Sequence, residues 1–280
     1  MLIHFSPVIQ AQPRRIPGFN DLKFIDLRAL GVHASPLAVL DDFRVQELPF
    51  SAHPHAGFAA VTYVFEDSPG GVRSRTSTGA DLIVGPGGIV WTNAGRGVIH
   101  EEVPSKRGTE LHGLQLFVNL TSQHKLSAPR VNSLDRKDVP EWRNNANDRV
   151  RVVVGRFDGV ASPLIPDEPF TMLDVELRNQ IPYTLDEKQN TVVYVLDGGL
   201  SVGADGHNKR VDSSHAVALS GGGATLHFEA LSPAHFLVLT GTRIDEPVLE
   251  EGPFIMNNRS QMEATIARFR SGEMGELSPE

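Results

Sequence analysis

The chain contains no cysteine among its 280 residues. Disulfides, thiolate ligands and a cysteine nucleophile are therefore excluded, and any metal chemistry must use histidine, aspartate and glutamate. No run of about 18 apolar residues occurs, so no transmembrane helix is expected. The start, MLIHFSPVIQAQPRRIPGF, lacks the basic opening and long apolar segment of a signal peptide. The expected location is cytoplasmic, or nuclear in a eukaryote. A basic excess is also missing. Lys and Arg number 26 against 34 Asp and Glu, a net charge of −8, which argues against direct nucleic-acid binding. No Ser-His-Asp order or paired-carboxylate motif stands out, and hydrolase chemistry is set aside.

What is present is turn-rich. Apolar residues make up 40%, enough for sizeable cores, and 26 glycines with 19 prolines favour many short strands over long helices. AAVTYVF at 59–65 is β-branched and aromatic, EDSPGG is a turn, and VIHEEV and GLQLFVNL read as further strands. The rhythm predicts an all-β sandwich or barrel. VTYVFEDSPGGV from Val61 resembles VVYVLDGGLSVG from Val192, and DLIVGPGG from Asp81 resembles HAVALSGGG from His215. Together they predict a tandem duplication of one β-domain. The expected division is an N-terminal barrel over 1–125, a polar connector over 126–150, and a C-terminal barrel over 151–280 that ends in a helix. Met262, Ile266 and Phe269 have helical spacing, with Ser260 as the expected N-cap and a stop near Gly272.

AHPHAGFAAVTYVF at 52–65 places two histidines either side of a proline. In an extended segment residues i and i+2 share a face, so His53 and His55 aim at one point. VIHEEV repeats the parity with His100 and Glu102, while Glu101 points the other way. Two such pairs on neighbouring strands bring three imidazoles and one carboxylate together, a set that suits a divalent first-row metal. A lone His-x-His is commonplace, and the second pair of matching parity is what gives the first its weight. Burying all four groups without an ion would leave polar atoms in need of other partners.

Other motifs receive plainer readings. GPGG at 85–88 lacks any phosphate-loop pattern and is expected to be a turn. AGRG at 94–97 supplies turn positions, with Arg96 a weaker candidate for the pocket mouth. His112 and Gln115 have opposite parity, so at most one faces the interior, and Gln115 is expected to line the pocket or to make a structural hydrogen bond. His207, His215, His227 and His235 include one rival pair, His227 with Glu229. It has no partner pair upstream, so the second barrel is expected to be metal-free.

HPHAGFAAVTYVFE, IVGPGGIVWTNAGRGVIHEE and GLQLFVNL, in that order, resemble the signature blocks of the pirin family, a branch of the cupin superfamily. GPFIMNNRSQMEATIARFRSGEMG is similar to the family's closing block. The resemblance covers residues 15–120 and 246–275. It implies two tandem cupin barrels of jelly-roll type and one metal ion in the first, held by His53, His55, His100 and Glu102. The ion it implies is iron, with manganese, nickel, copper or zinc able to substitute. It further implies a quercetin 2,3-dioxygenase that opens a flavonol with O2; Glu102, a ligand close to where the hydroxyl would bind, is by that proximity also the expected base. The alternative is a metal- and redox-dependent co-regulator that binds a protein partner, and a metal-free structural bicupin stands behind both. Two departures are visible: Ala56 where the family often has arginine, and Ser74-Arg75-Thr76-Ser77 where it often has His-Asp-Ser. Both are expected to alter the mouth of the pocket.

Overall fold

The computed structural model describes residues 3–47 and 50–278, and almost all of its regular structure is antiparallel strand. The chain divides into two compact units that do not follow sequence order. One comprises Pro13–Phe24, Leu37–Arg136 and the chain from Ile244 onward. The other comprises the chain up to Gln12, Ile25–Pro36 and Lys137–Arg243.

In the first unit the larger sheet runs in the order Arg130–Leu134, Ile89–Asn93, Phe58–Val64, Leu111–Asn119, Leu37–Val45, Phe19–Phe24. The smaller sheet runs His53–His55, Val98–Pro104, Val72–Thr76, Asp81–Val84. Phe58–Val64 is buried along its whole length, as the apolar run AAVTYVF requires of a central strand covered on both faces. Val64, Val90 and Leu111 from the larger sheet meet Val72 and Val84 from the smaller one, forming one shared core.

In the second unit, His215–Ser220, Gln189–Asp197, Ala234–Thr242 and Phe170–Leu177 are consecutive strands of the larger sheet. Gln180–Leu185, Ala224–Ala230, Gly199–Ala204 and His207–Asp212 form the smaller. A continuous cluster that includes Val193, Phe228, Phe236 and Val238 fills its interior. The duplication is visible in the two central strands that carry Val61 and Val192. The second sequence match slips: Asp81–Val84 lies in a smaller sheet and His215–Ser220 in a larger one. Short apolar runs beside glycines look alike whichever sheet they join.

The compact units also cut the chain differently from the linear division. The stretch read as a connector contains two edge strands. Arg130–Leu134 pairs with Ile89–Asn93, and Glu141–Arg143 pairs with Arg149–Val154. The terminal helix, Arg259–Arg270, packs Met262 with Ala56, Phe254 and Met256 in the first unit. Its N-cap is Asn258, whose side chain accepts from the Gln261 amide, so Ser260 lies inside the first turn. Met262 is fully buried, Ile266 half-buried and Phe269 41% exposed, so the apolar stripe covers only part of its length. No helix among the described residues is long and apolar enough to cross a membrane.

Candidate metal centre

His53 and His55 occupy the edge strand of the smaller sheet, and Val98–Pro104 is its neighbour. His100 stands opposite His53 and Val98 opposite His55. The three rings form a near-equilateral triangle, with centroids 4.8, 4.6 and 4.6 Å apart. Among the described residues these three are the group of histidine or carboxylate side chains able to hold an ion, their donor atoms within 4.8 Å of one another.

The protonation state suits ligation. His53 Nδ1 lies 2.8 Å from the Ser51 carbonyl, to which it donates, so Nε2 carries the lone pair. Burial pushes the His55 pKa down to about 3, with His53 adding to the effect. Burial first, then His55 and His53, holds His100 well below the usual imidazole range. The Nε2 atoms of His53 and His100 face each other across 3.2 Å. Two nitrogens roughly 2.1 Å from one ion, at an angle near 100°, take about this separation. The Nδ1 atom of His100 is buried without a partner, and His55 has the Pro253 backbone beside it. Three imidazoles so arranged, with His55 and His100 held neutral by burial, fit a metal ion.

Glu102 lines the same cavity but is not part of the triad's tight group. Its Oε2 accepts from the Thr62 hydroxyl at 2.5 Å, and its Oε1 is buried on the side of Ser74, its neighbour across the sheet. Burial raises its pKa to about 7, against the Thr62 and Ser74 hydroxyls, which lower it. Glu101 points away and pairs with Arg75 at 2.6 Å, as alternation requires.

A cavity of about 320 Å³ adjoins the triad. Its walls are largely apolar, with the rings of Phe19, Phe43, Phe50 and Phe117, and its polar lining besides the triad is Glu102, Thr62, Gln115 and Asp41. Phe43 reaches in because its strand neighbour is Gly113, where a Cβ would come within 2.7 Å of the ring. Gln115 Oε1 lies 3.1 Å from the Thr62 hydroxyl oxygen, whose proton goes to Glu102, and the Gln115 side-chain N–H donates to the Val61 carbonyl. His112, of opposite parity, is held by Asp67 at 2.6 Å and Asp42 at 3.2 Å, away from the site. Arg96 is exposed and absent from the cavity lining.

Sequence reasoning missed Asp41, Thr62 and the phenylalanine walls. Val39, Asp41, Phe43 and Val45 share one face of a strand, and a carboxylate within that apolar set was the available signal.

Ala56 is a correction: it does not reach the pocket mouth. It lies on the opposite face from the histidines, fully buried against Phe254 and Met256. The Ile255 amide donates to the Ala56 carbonyl at 3.0 Å. Gly57, at φ +86°, has the Ile255 carbonyl oxygen where a Cβ would stand, 1.9 Å away. Ser74 sits opposite Glu102 and Thr76 opposite His100, so that departure lies beside the site residues. In the second unit His207, His227 and Glu229 are exposed, His215 faces the Ser213 carbonyl, and His235 meets Asp174 at 2.6 Å.

An all-β chain of two such units, one of them carrying an inward-facing histidine triad, is a bicupin. Family models described as pirin and as the pirin C-terminal cupin domain match residues 21–118 and 172–275. The chain belongs to the pirin family. The Pseudomonas aeruginosa protein named "Putative quercetin 2,3-dioxygenase PA2418" is 33% identical over 271 residues, 91% of this chain and 92% of that one. Human pirin is 29% identical over 275 residues, 96% of this chain and 90% of that one. A crystal structure of quercetin 2,3-dioxygenase from Acinetobacter baumannii matches with a TM-score of 0.87 and 26% identity, covering 99% of this chain and all of that one.

Proposed function

We propose that the chain is a mononuclear metal dioxygenase that cleaves quercetin-like flavonols with O2. One divalent ion, iron by family resemblance, would be held by His53, His55, His100 and Glu102. The observation that carries this reading is the cavity itself: phenylalanine walls that suit a flat aromatic ligand run up to three clustered imidazoles and a buried carboxylate. The quercetin dioxygenase names of the Pseudomonas and Acinetobacter relatives support the substrate class.

When bound, the metal would supply Lewis acidity for the flavonol 3-hydroxyl oxygen and an electron path to O2. The remaining work falls to the chain. His55 and His100 present lone pairs because burial keeps their rings neutral, and His53 is oriented by the Ser51 carbonyl at its Nδ1. Glu102 Oε1, buried beside the Ser74 hydroxyl and free of any cation, is the acceptor for the proton of the 3-hydroxyl. Thr62 fixes the other oxygen and so sets where Oε1 points. The Phe43 and Phe117 rings line the reacting face with apolar surface, and Phe50, 51% exposed, stands at its solvent side.

The test is metal analysis with an oxygen electrode. Iron-loaded protein should consume O2 when quercetin is added. Equal consumption by metal-stripped protein or by His55→Ala would overturn the reading.

A further inference from the structure

At the end of the cavity wall stands a group that the metal chemistry does not use. Asp41 lies on the strand Leu37–Val45, its side chain on the cavity face with Val39, Phe43 and Val45. It is paired across the sheet with Gln115, and Gln115 in turn with Thr62. The three form one row over three neighbouring strands, which places the Asp41 and Thr62 backbones about 10 Å apart. Thr62 is the residue bonded to Glu102. The row therefore begins beside the candidate metal site and ends on a second carboxylate.

Asp41 Oδ1 is buried and has no hydrogen-bond partner. Its neighbour Gln115 turns its side-chain N–H to the Val61 carbonyl and its Oε1 toward Thr62, away from Asp41. Arg14, the cation whose charge acts on Asp41, lies over the Phe24 ring, 3.8 Å from its centroid, and makes no hydrogen bond to Oδ1. A buried acceptor without a donor is a cost to the fold, and apolar residues would fill the same wall without it.

We propose that Asp41 accepts a hydrogen bond from a second hydroxyl of the substrate, distant from the 3-hydroxyl, and so selects polyhydroxylated flavonols over those bearing the 3-hydroxyl alone. The proposal rests on the flavonol reading above and deepens it. A flavonol is a rigid ring system that carries its 3-hydroxyl on the central ring, and quercetin has further hydroxyls on both outer rings. With the 3-hydroxyl toward Glu102, an outer-ring hydroxyl is directed along the row toward Asp41.

The experiment compares quercetin with 3-hydroxyflavone, which lacks the outer hydroxyls. Binding to the metal-loaded protein is measured by fluorescence titration under nitrogen, so that no turnover intervenes. Wild-type protein should favour quercetin by about tenfold or more, the scale of a hydrogen bond to a charged acceptor. In Asp41→Leu the ratio should fall close to one. Should that variant fail to fold, Asp41→Asn, of the same shape without the charge, decides: a ratio narrowed by about threefold or more supports the proposal, and an unchanged ratio overturns it. Wild-type protein that binds both flavonols with a ratio insensitive to Asp41 overturns this proposal alone. Wild-type protein that binds neither overturns the flavonol reading, and the proposal with it.

Discussion

The Thr62 hydroxyl donates to Glu102 Oε2 across 2.5 Å, joining the central strand of the larger sheet to the strand that carries His100. It is the bond that turns a buried carboxylate into an oriented one. Removing the hydroxyl with Thr62→Val should weaken divalent-metal affinity by roughly tenfold, the usual scale for a lost partner of a ligating group. Thr62→Ser, which keeps the hydroxyl, should restore most of it. Metal titration followed by competition with a chelator measures both.

Metal binding should also stabilise the fold. An ion that binds only the folded state adds about 2.7 kcal/mol at a free concentration 100 times its Kd. The melting temperature of stripped wild-type protein should therefore climb as iron or nickel is added. For His100→Ala it should stay flat, because a corner of the triad is gone. A parallel rise in His100→Ala would place the stabilising site elsewhere.

Asp41 should make stability depend on pH. Burial raises its folded pKa to about 6 from 3.8, while the charge of Arg14 pulls the other way. Glu102 and the triad line the same cavity as Asp41. Below about pH 4 the group is protonated in both states and exacts nothing. Between 4 and 6 the unfolded chain has released a proton that the folded chain still holds, so stability falls as pH rises. Above 6 the penalty is complete, on the order of 1–2 kcal/mol after allowance for partial exposure. Asp41→Asn should be more stable than wild type by that amount at pH 7.5 and equal to it near pH 4. Urea melts at the two pH values read the difference.

Lys125 is fully buried, and its Nζ donates to the Gly57 carbonyl, the Asn119 side chain and the Ile255 carbonyl at 2.9, 2.6 and 3.1 Å. It ties the turn after His55 to the segment before the terminal helix. Lys125→Met keeps the bulk and strands the buried Gly57 and Ile255 carbonyls, while Asn119 Oδ1 keeps the Leu120 amide, so a loss of about 2–3 kcal/mol is expected. Chemical denaturation measures it. Metal affinity should fall in the same variant, since Gly57 lies two residues from His55.

Much of this protein was legible before folding. Absence of cysteine limited any metal site to imidazoles and carboxylates. Period-two alternation assigned His53, His55, His100 and Glu102 to one side and Glu101 to the other, because strand geometry is local and its parity is written in spacing alone. Tertiary structure decided what spacing does not encode: which strands become neighbours and what faces them. It drew three imidazoles into a tight triangle and left Glu102 beside it, held by a threonine from another sheet. It placed Asp41 at the far end of the same cavity. It also packed the terminal helix behind Ala56, more than 200 residues away in sequence, because Met262 and Phe254 bury apolar surface there. Contacts across sheets depend on complementary surfaces meeting after long loops close, and no local pattern records that encounter.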